Sequence, residues 1–194
     1  MKPLEKSALF LLFIPFLCLN GFGQEKLEKE SRLKSSEVPT KARRLVDNIL
    51  NKKKLKWYLE EGLTEKSIEA KFILMNKKYS VEFDTDGNLQ DIEIEVKWNT
   101  LTPIQKERIQ QKLTTSCQRF AIRKVQEQYL AKDVIGLIKN NRWNDLNQIP
   151  SRHELVVKCK NTSLVKLVEY LFSDKGELIS NSNIIFKNAT HLEY

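Results

Sequence analysis

The stretch IEAKFILMNKKYSVEFDTDGNLQDIEIEVKW, residues 68–98, decides the fold. Ile68, Ala70, Phe72 and Leu74 alternate with Glu69, Lys71 and Ile73; Tyr79, Val81 and Phe83 alternate with Ser80 and Glu82; Ile92, Ile94, Val96 and Trp98 alternate with Glu93, Glu95 and Lys97. A period of two gives each strand one apolar and one charged face. Asn76-Lys77 and Asp86-Gly87 supply tight turns, since glycine accepts the positive φ that short hairpins need. Three consecutive antiparallel strands follow, and a short run at Leu55–Leu59 reads as a fourth ahead of them. Upstream, Val38, Ala42, Leu45, Val46, Ile49 and Leu50 recur at helical spacing, with Pro39 in the first turn. The predicted helix, 39–53, lies across the apolar face of the meander.

The same grammar starts again. Pro39, Arg44, Leu45 and Ile49 are echoed at one constant interval by Pro103, Arg108, Ile109 and Leu113. Phe83, Gly87 and Leu89 are echoed at a longer interval by Phe172, Gly176 and Leu178. A first module over 38–100 and a second, degenerate module over 101–194 are therefore expected, the second with an insertion around 131–150. Asp133 can cap a short helix there, from Val134 to about Asn140. Aligning Phe172 with Phe83 puts Val168 and Tyr170 under the helix, so Val165, Leu167 and Leu171 point the other way, where the first module carries Glu and Lys. An apolar row of that kind is either a partner site or a seat for another element. The stripe Val134, Ile135, Leu137, Ile138 and Trp143 makes the insertion the favoured cover.

Composition narrows the function classes. The chain has 194 residues, 33 Lys+Arg against 25 Asp+Glu (net +8), and 41% hydrophobic residues, enough for a core and too many for wholesale disorder. Residues 1–23 carry Lys2 and Lys6, an apolar run from Ala8 to Leu19, and small residues Gly21 and Gly23 before Gln24. This is the layout of a signal peptide cleaved after Gly23, and its apolar run is too short to remain as a membrane span. A polar leader, 24–37, comes next. A periplasmic or secreted location removes nucleic acid as the default partner of the basic excess. The run Lys52-Lys53-Lys54-Leu55-Lys56 reads as a solvated helix end. Cys117 and Cys159 are the cysteines beyond the leader, and are either a disulfide or two buried thiols.

Catalytic signatures are sparse. With two histidines and three cysteines, a zinc site built from Cys and His is not expected. His153 and His191 lack a nucleophile motif nearby and read as surface residues. Asp84-Thr85-Asp86-Gly87-Asn88 resembles the start of a calcium loop but lacks the later bidentate glutamate, so it reads as a turn. No cofactor is expected.

The helix VPTKARRLVDNIL (38–50), the strand LKW (55–57), the sheet of 68–96 and the second helix LTPIQKERIQQKL (101–113) together resemble the PepSY-like, beta-lactamase-inhibitor-like domains of exported Bacteroidetes proteins. The resemblance covers roughly 38–130 well. It implies an α+β fold of tandem helix-plus-antiparallel-sheet modules, with helices packed on one face of a curved sheet, serving as a binding surface or inhibitor-like module. The expected function is non-enzymatic capture of a protein or cell-envelope component through an open sheet face. Candidate contacts are Glu69, Lys71, Glu82, Glu93, Glu95 and Lys97, with Leu167 and Leu171 from the second module. Glu93 and Glu95 would pair across strands with Lys71 and Lys97. The alternatives are an envelope hydrolase using a carboxylate pair and a small-ligand or metal sensor. An enzyme predicts a deep pocket with perturbed carboxyls, and a binding module a broad open sheet.

Overall fold

The computed structural model describes residues 24–50, 55–140 and 142–186. The expected signal peptide, Lys52–Lys54 of the basic run and His191 lie outside the described residues. In chain order the elements are β1 (Gln24–Leu33), α1 (Thr40–Leu50), β2 (Leu55–Glu61), β3 (Lys66–Leu74), β4 (Lys77–Asp84), β5 (Leu89–Glu95), α2 (Pro103–Ser116), β6 (Arg119–Leu130), α3 (Ala131–Lys139), β7 (Arg152–Asn161), β8 (Leu164–Phe172) and β9 (Leu178–Phe186). Short 3-10 helices occupy Ser35–Glu37, Trp98–Thr100 and Trp143–Gln148.

Strands β2 to β9 form one antiparallel meander, each bonded to the next. The helix-before-sheet order recurs, and α2 carries a capping box in which Thr102 and Gln105 satisfy each other's backbone donors. Most apolar side chains of the strands turn outward, with Val156, Leu171 and Ile184 turned inward. Val38, Ala42 and Val46 from the α1 region cover Trp57, Ala70, Phe83 and Ile92. Ile109 and Leu113 of α2 cover Leu155, Val157, Tyr170 and Phe172. Cys117 and Cys159 form a disulfide, with Cα atoms 5.4 Å apart, which ties the end of α2 to β7.

Three expectations need correction. The sheet is not open: β1 pairs antiparallel with β2 (Leu33 opposite Trp57) and parallel with β9 (Gln24 opposite Ser182), closing a nine-stranded barrel. Its sequence, QEKLEKESRL, has little strand character, yet it satisfies two sheet edges that would otherwise present unpaired backbone groups. The strand ending in Trp98 stops at Glu95, and Trp98 starts a 3-10 turn against the second core. The insertion does not cover Leu167 and Leu171. Val134 and Ile138 of α3 pack instead into the first core, beside Phe83, Ile92 and Tyr129.

Candidate functional site: the polar lumen

Successive strand residues point to opposite faces. With the apolar set held outward by the helices, the polar set of each strand is turned into the barrel. One cavity of about 290 Å³ is lined by seven carboxyl groups and three lysines, and two further cavities, about 520 and 440 Å³, share residues with its ends.

Lys71 organises one half of this interior. Its Nζ lies 2.7 Å from Glu30 of β1 and 2.7 Å from Glu69, 4.0 Å from Glu60, and 5.1 Å from the ring centre of Tyr58. Burial alone would pull its pKa down, but Glu69 and Glu30 outweigh it and hold the ammonium form. Ser80 donates to Glu69, which is 7% exposed. Glu60 is pushed up to about 9, first by burial and then by its hydrogen bond with Glu69 and the repulsion between them.

The other half is richer in carboxyls. Burial pushes Asp91 up to about 8, helped by repulsion from Glu82 and Glu154. Burial and then repulsion from Asp91 raise Glu93 to about 8, burial and then repulsion from Glu93 raise Glu154 well above the usual range, and the two share a hydrogen bond. Glu82 is raised by burial against the opposing pull of the Ser67 hydroxyl, 2.7 Å away. Gln126 donates to Glu93 at 2.7 Å and Gln128 to Asp91 at 3.1 Å. Lys26 of β1 reaches Glu169 at 2.6 Å, and its charge is felt at Glu82, Asp91 and Glu154. Protons thus stand where cations are too few.

Of the residues singled out in the sequence, Glu69, Lys71, Glu82, Glu93 and Leu171 meet in the lumen. Leu167 shares their side of β8 and sits opposite Ile184. Glu95 lies at one mouth, where Lys78 holds it at 3.1 Å, in place of the expected Lys97. Lys97, exposed beyond β5, contributes its carbonyl to the following turn. Glu60, Asp91, Glu154 and Glu169 were not singled out. Alternation places Asp91 beside Glu93, and Glu154 and Glu169 opposite the apolar set of β7 and β8, so period-two counting could have found them. Glu30 and Lys26 carried no such signal, because β1 does not read as a strand. His153 is a further correction: it is 5% exposed beneath the sheet, and burial lowers its pKa. Asp84 caps the β4–β5 turn by accepting from the backbone of Asp86 and Asn88, as the turn reading requires.

No protein-family model and no curated protein matches the chain. Among solved structures, the fold is similar to a DUF2874 family protein from Bacteroides uniformis (TM-score 0.52, 13% identity, covering 75% of this chain and 89% of that one). It is similar to another from Bacteroides ovatus (TM-score 0.51, 14% identity, 75% and 87%). A BLIP-like protein from Bacteroides fragilis aligns at TM-score 0.48 and 17% identity over 79% of this chain and 92% of that one. These likenesses concern the fold.

Proposed function

We propose that the chain is an exported, non-enzymatic, inhibitor-like binding module that takes up a protein segment or other envelope component through the polar face of its sheet, wrapped here into a lumen. The signal peptide is removed after Gly23, leaving two related helix-plus-sheet units in the periplasm or outside the cell. One observation carries the reading: side chains of all nine strands, charged from every strand but β9, converge on one cavity with a mouth at each end. No helix among the described residues is long and apolar enough to cross a membrane.

The raised carboxyls meet the criterion set for the enzyme alternative, so that reading has an observation in its favour. Geometry weighs against it. A hydrolytic pair flanks a gap of about 5 Å or more, where the substrate bond sits. Glu93 and Glu154 instead hydrogen-bond to each other, as do Glu60 and Glu69. Hydrogen exchange of the processed chain, alone and with an extract of its own envelope, separates the possibilities. Protection should appear in β3, β5 and β7. Protection confined to the helices would sink the proposal.

A further inference from the structure

Three buried acceptors of the lumen receive no hydrogen bond from its N–H or hydroxyl groups. Asp91 is 7% exposed, and while its Oδ2 takes a hydrogen bond from Gln128, its Oδ1 is buried without a partner. Gln126, 3% exposed, donates to Glu93 and leaves its Oε1 buried and unbonded, and Gln128 leaves its Oε1 in the same condition. These three are acceptors on β5 or β6. What is absent is an N–H donor, and a buried acceptor without one is costly by roughly 1–3 kcal/mol.

The chain's own side chains show which donor suits. Lys71 lies between Glu30 and Glu69, and Lys26 enters from β1 onto Glu169, so the group that settles among these carboxylates is a primary ammonium. A bare metal ion is disfavoured by spacing. Among the described residues, only Glu30, Glu60 and Glu69 bring three acidic ligand atoms within 4.8 Å of one another, and Lys71 already bridges two of them. In the Asp91 half no three acidic ligand atoms come that close, although Glu82 stands opposite Asp91 and Glu93 hydrogen-bonds Glu154. Apolar Val156, Leu171 and Ile184 line the central cavity with Glu82 and Glu154, and Asp91 lines the adjoining one, which shares Glu82. Carboxyls on several strands, with hydrocarbon beside them, match a chain that carries more than one ammonium group joined by methylenes.

We infer that the lumen binds a linear organic polyamine, with its ammonium groups on Asp91, Glu82 and Glu154 and its methylenes against Val156, Leu171 and Ile184. Entry is by the mouth that Asp91 shares with Glu30, Glu60 and Glu82, which is more acidic than the opposite mouth with Lys56, Lys71, Lys78 and Lys124. Binding replaces protons by ammonium on the carboxyls that face one another, with Lys26 and Lys124 the cations already present among them. The inference rests on the polar lumen being the binding surface and names the ligand class for it.

The test is titration calorimetry of the processed chain with spermidine at pH 8 and low salt, run in two buffers of different ionisation heat. Saturable binding with release of protons is expected. Asp91→Asn and Glu154→Gln should each weaken it by about tenfold or more, the loss of one charge-assisted hydrogen bond. Both substitutions imitate a protonated carboxyl and should fold, which melting checks. Glu107→Gln, on the exposed face of α2, should change nothing. No saturable heat, equal binding by Asp91→Asn, or binding of calcium in place of spermidine would overturn the inference. Should spermidine fail while the envelope extract still protects β3, β5 and β7 from exchange, only the ligand class falls; should both fail, the lumen is not the binding surface.

Discussion

Gly87 lies against Pro39 so closely that a Cβ on the glycine would stand 2.8 Å from the Pro39 Cβ and 3.1 Å from the backbone N of Ala42, in a turn with φ of +81°. The β4–β5 turn is thus docked on the start of α1. Gly176 (φ +79°) meets the start of α2 in the same way, 3.0 Å from the Cα of Gln105. Gly87→Ala and Gly176→Ala should each destabilise by about 1–3 kcal/mol, because both the backbone conformation and the space forbid a side chain. Gly136→Ala is the control, since its Cβ would meet nothing within 4 Å and the position is helical. Equal melting points for all three variants would refute the docking argument.

The pH dependence of stability should run opposite to that of a chain held by surface ion pairs. Glu60, Asp91 and Glu93 have folded pKa values of about 9, 8 and 8, and Glu82 and Glu154 are raised too. Above about 4.5 the unfolded chain releases these protons while the folded chain keeps them, so the folded state binds more protons and loses stability as pH climbs towards 8–9. His153 works the other way below about 6.5, since its buried ring resists the proton that the unfolded chain accepts. Glu61, held low at about 2 by Lys29 and Lys66, contributes stability that is lost as the pH falls from about 4.5 to 2. Melting should therefore be highest near pH 4–5, where the raised carboxyls outnumber His153, and fall steadily to pH 9, with a shallower fall in Glu154→Gln. A profile that rises from 6 to 9 contradicts the buried-carboxyl account.

The disulfide joins Cys117, which ends α2, to Cys159 near the end of β7, 42 residues apart. Replacing both by alanine frees the unfolded chain from that loop and should cost about 2–4 kcal/mol. Denaturant unfolding of the double variant, beside the reduced parent, checks this. A parent that unfolds at the same midpoint with and without reductant would show that the link contributes nothing.

Period-two alternation revealed β3, β4 and most of β5 because each buries a face, and burial is what a sequence pattern records. Matched Pro and Gly anchors located both helix starts and both turns for a related reason: each residue answers a local steric demand, as Gly87 does against Pro39. Alternation also separated Glu69, Lys71, Glu82 and Glu93 from the apolar set. It could not say whether that polar face meets water or another part of the chain, since either leaves the same residues charged. The closing strand was illegible because Lys26 and Glu30 are chosen by partners more than 40 residues away, Glu169 and Lys71. The site of α3 was misjudged on similar grounds. Its stripe of Val134 and Ile138 announces burial without naming the surface that receives it.

Strand β1 should be the least stable part of the barrel. It supplies no fully buried apolar side chain; Leu27 and Leu33 are only half-buried. Beyond its backbone pairing, it is held by Lys26 on Glu169, Lys29 on Glu61, Glu30 on Lys71 and Arg32 on Tyr58. Partly exposed ion pairs contribute about 0–1 kcal/mol each and weaken with salt. By contrast, β4 carries Val81 and Phe83, both fully buried. Native-state hydrogen exchange should thus show β1 amides opening well below the energy of global unfolding, with β4 amides opening only with it. Raising salt from about 0.05 to 0.5 M, which shortens the screening length about threefold, should speed β1 exchange and leave β4 unchanged. Lys26→Met should do the same at low salt, by releasing the strand from Glu169. Equal protection of β1 and β4 under all three conditions would mean that the barrel opens only as a whole and that its polar interior is reached through the two mouths alone.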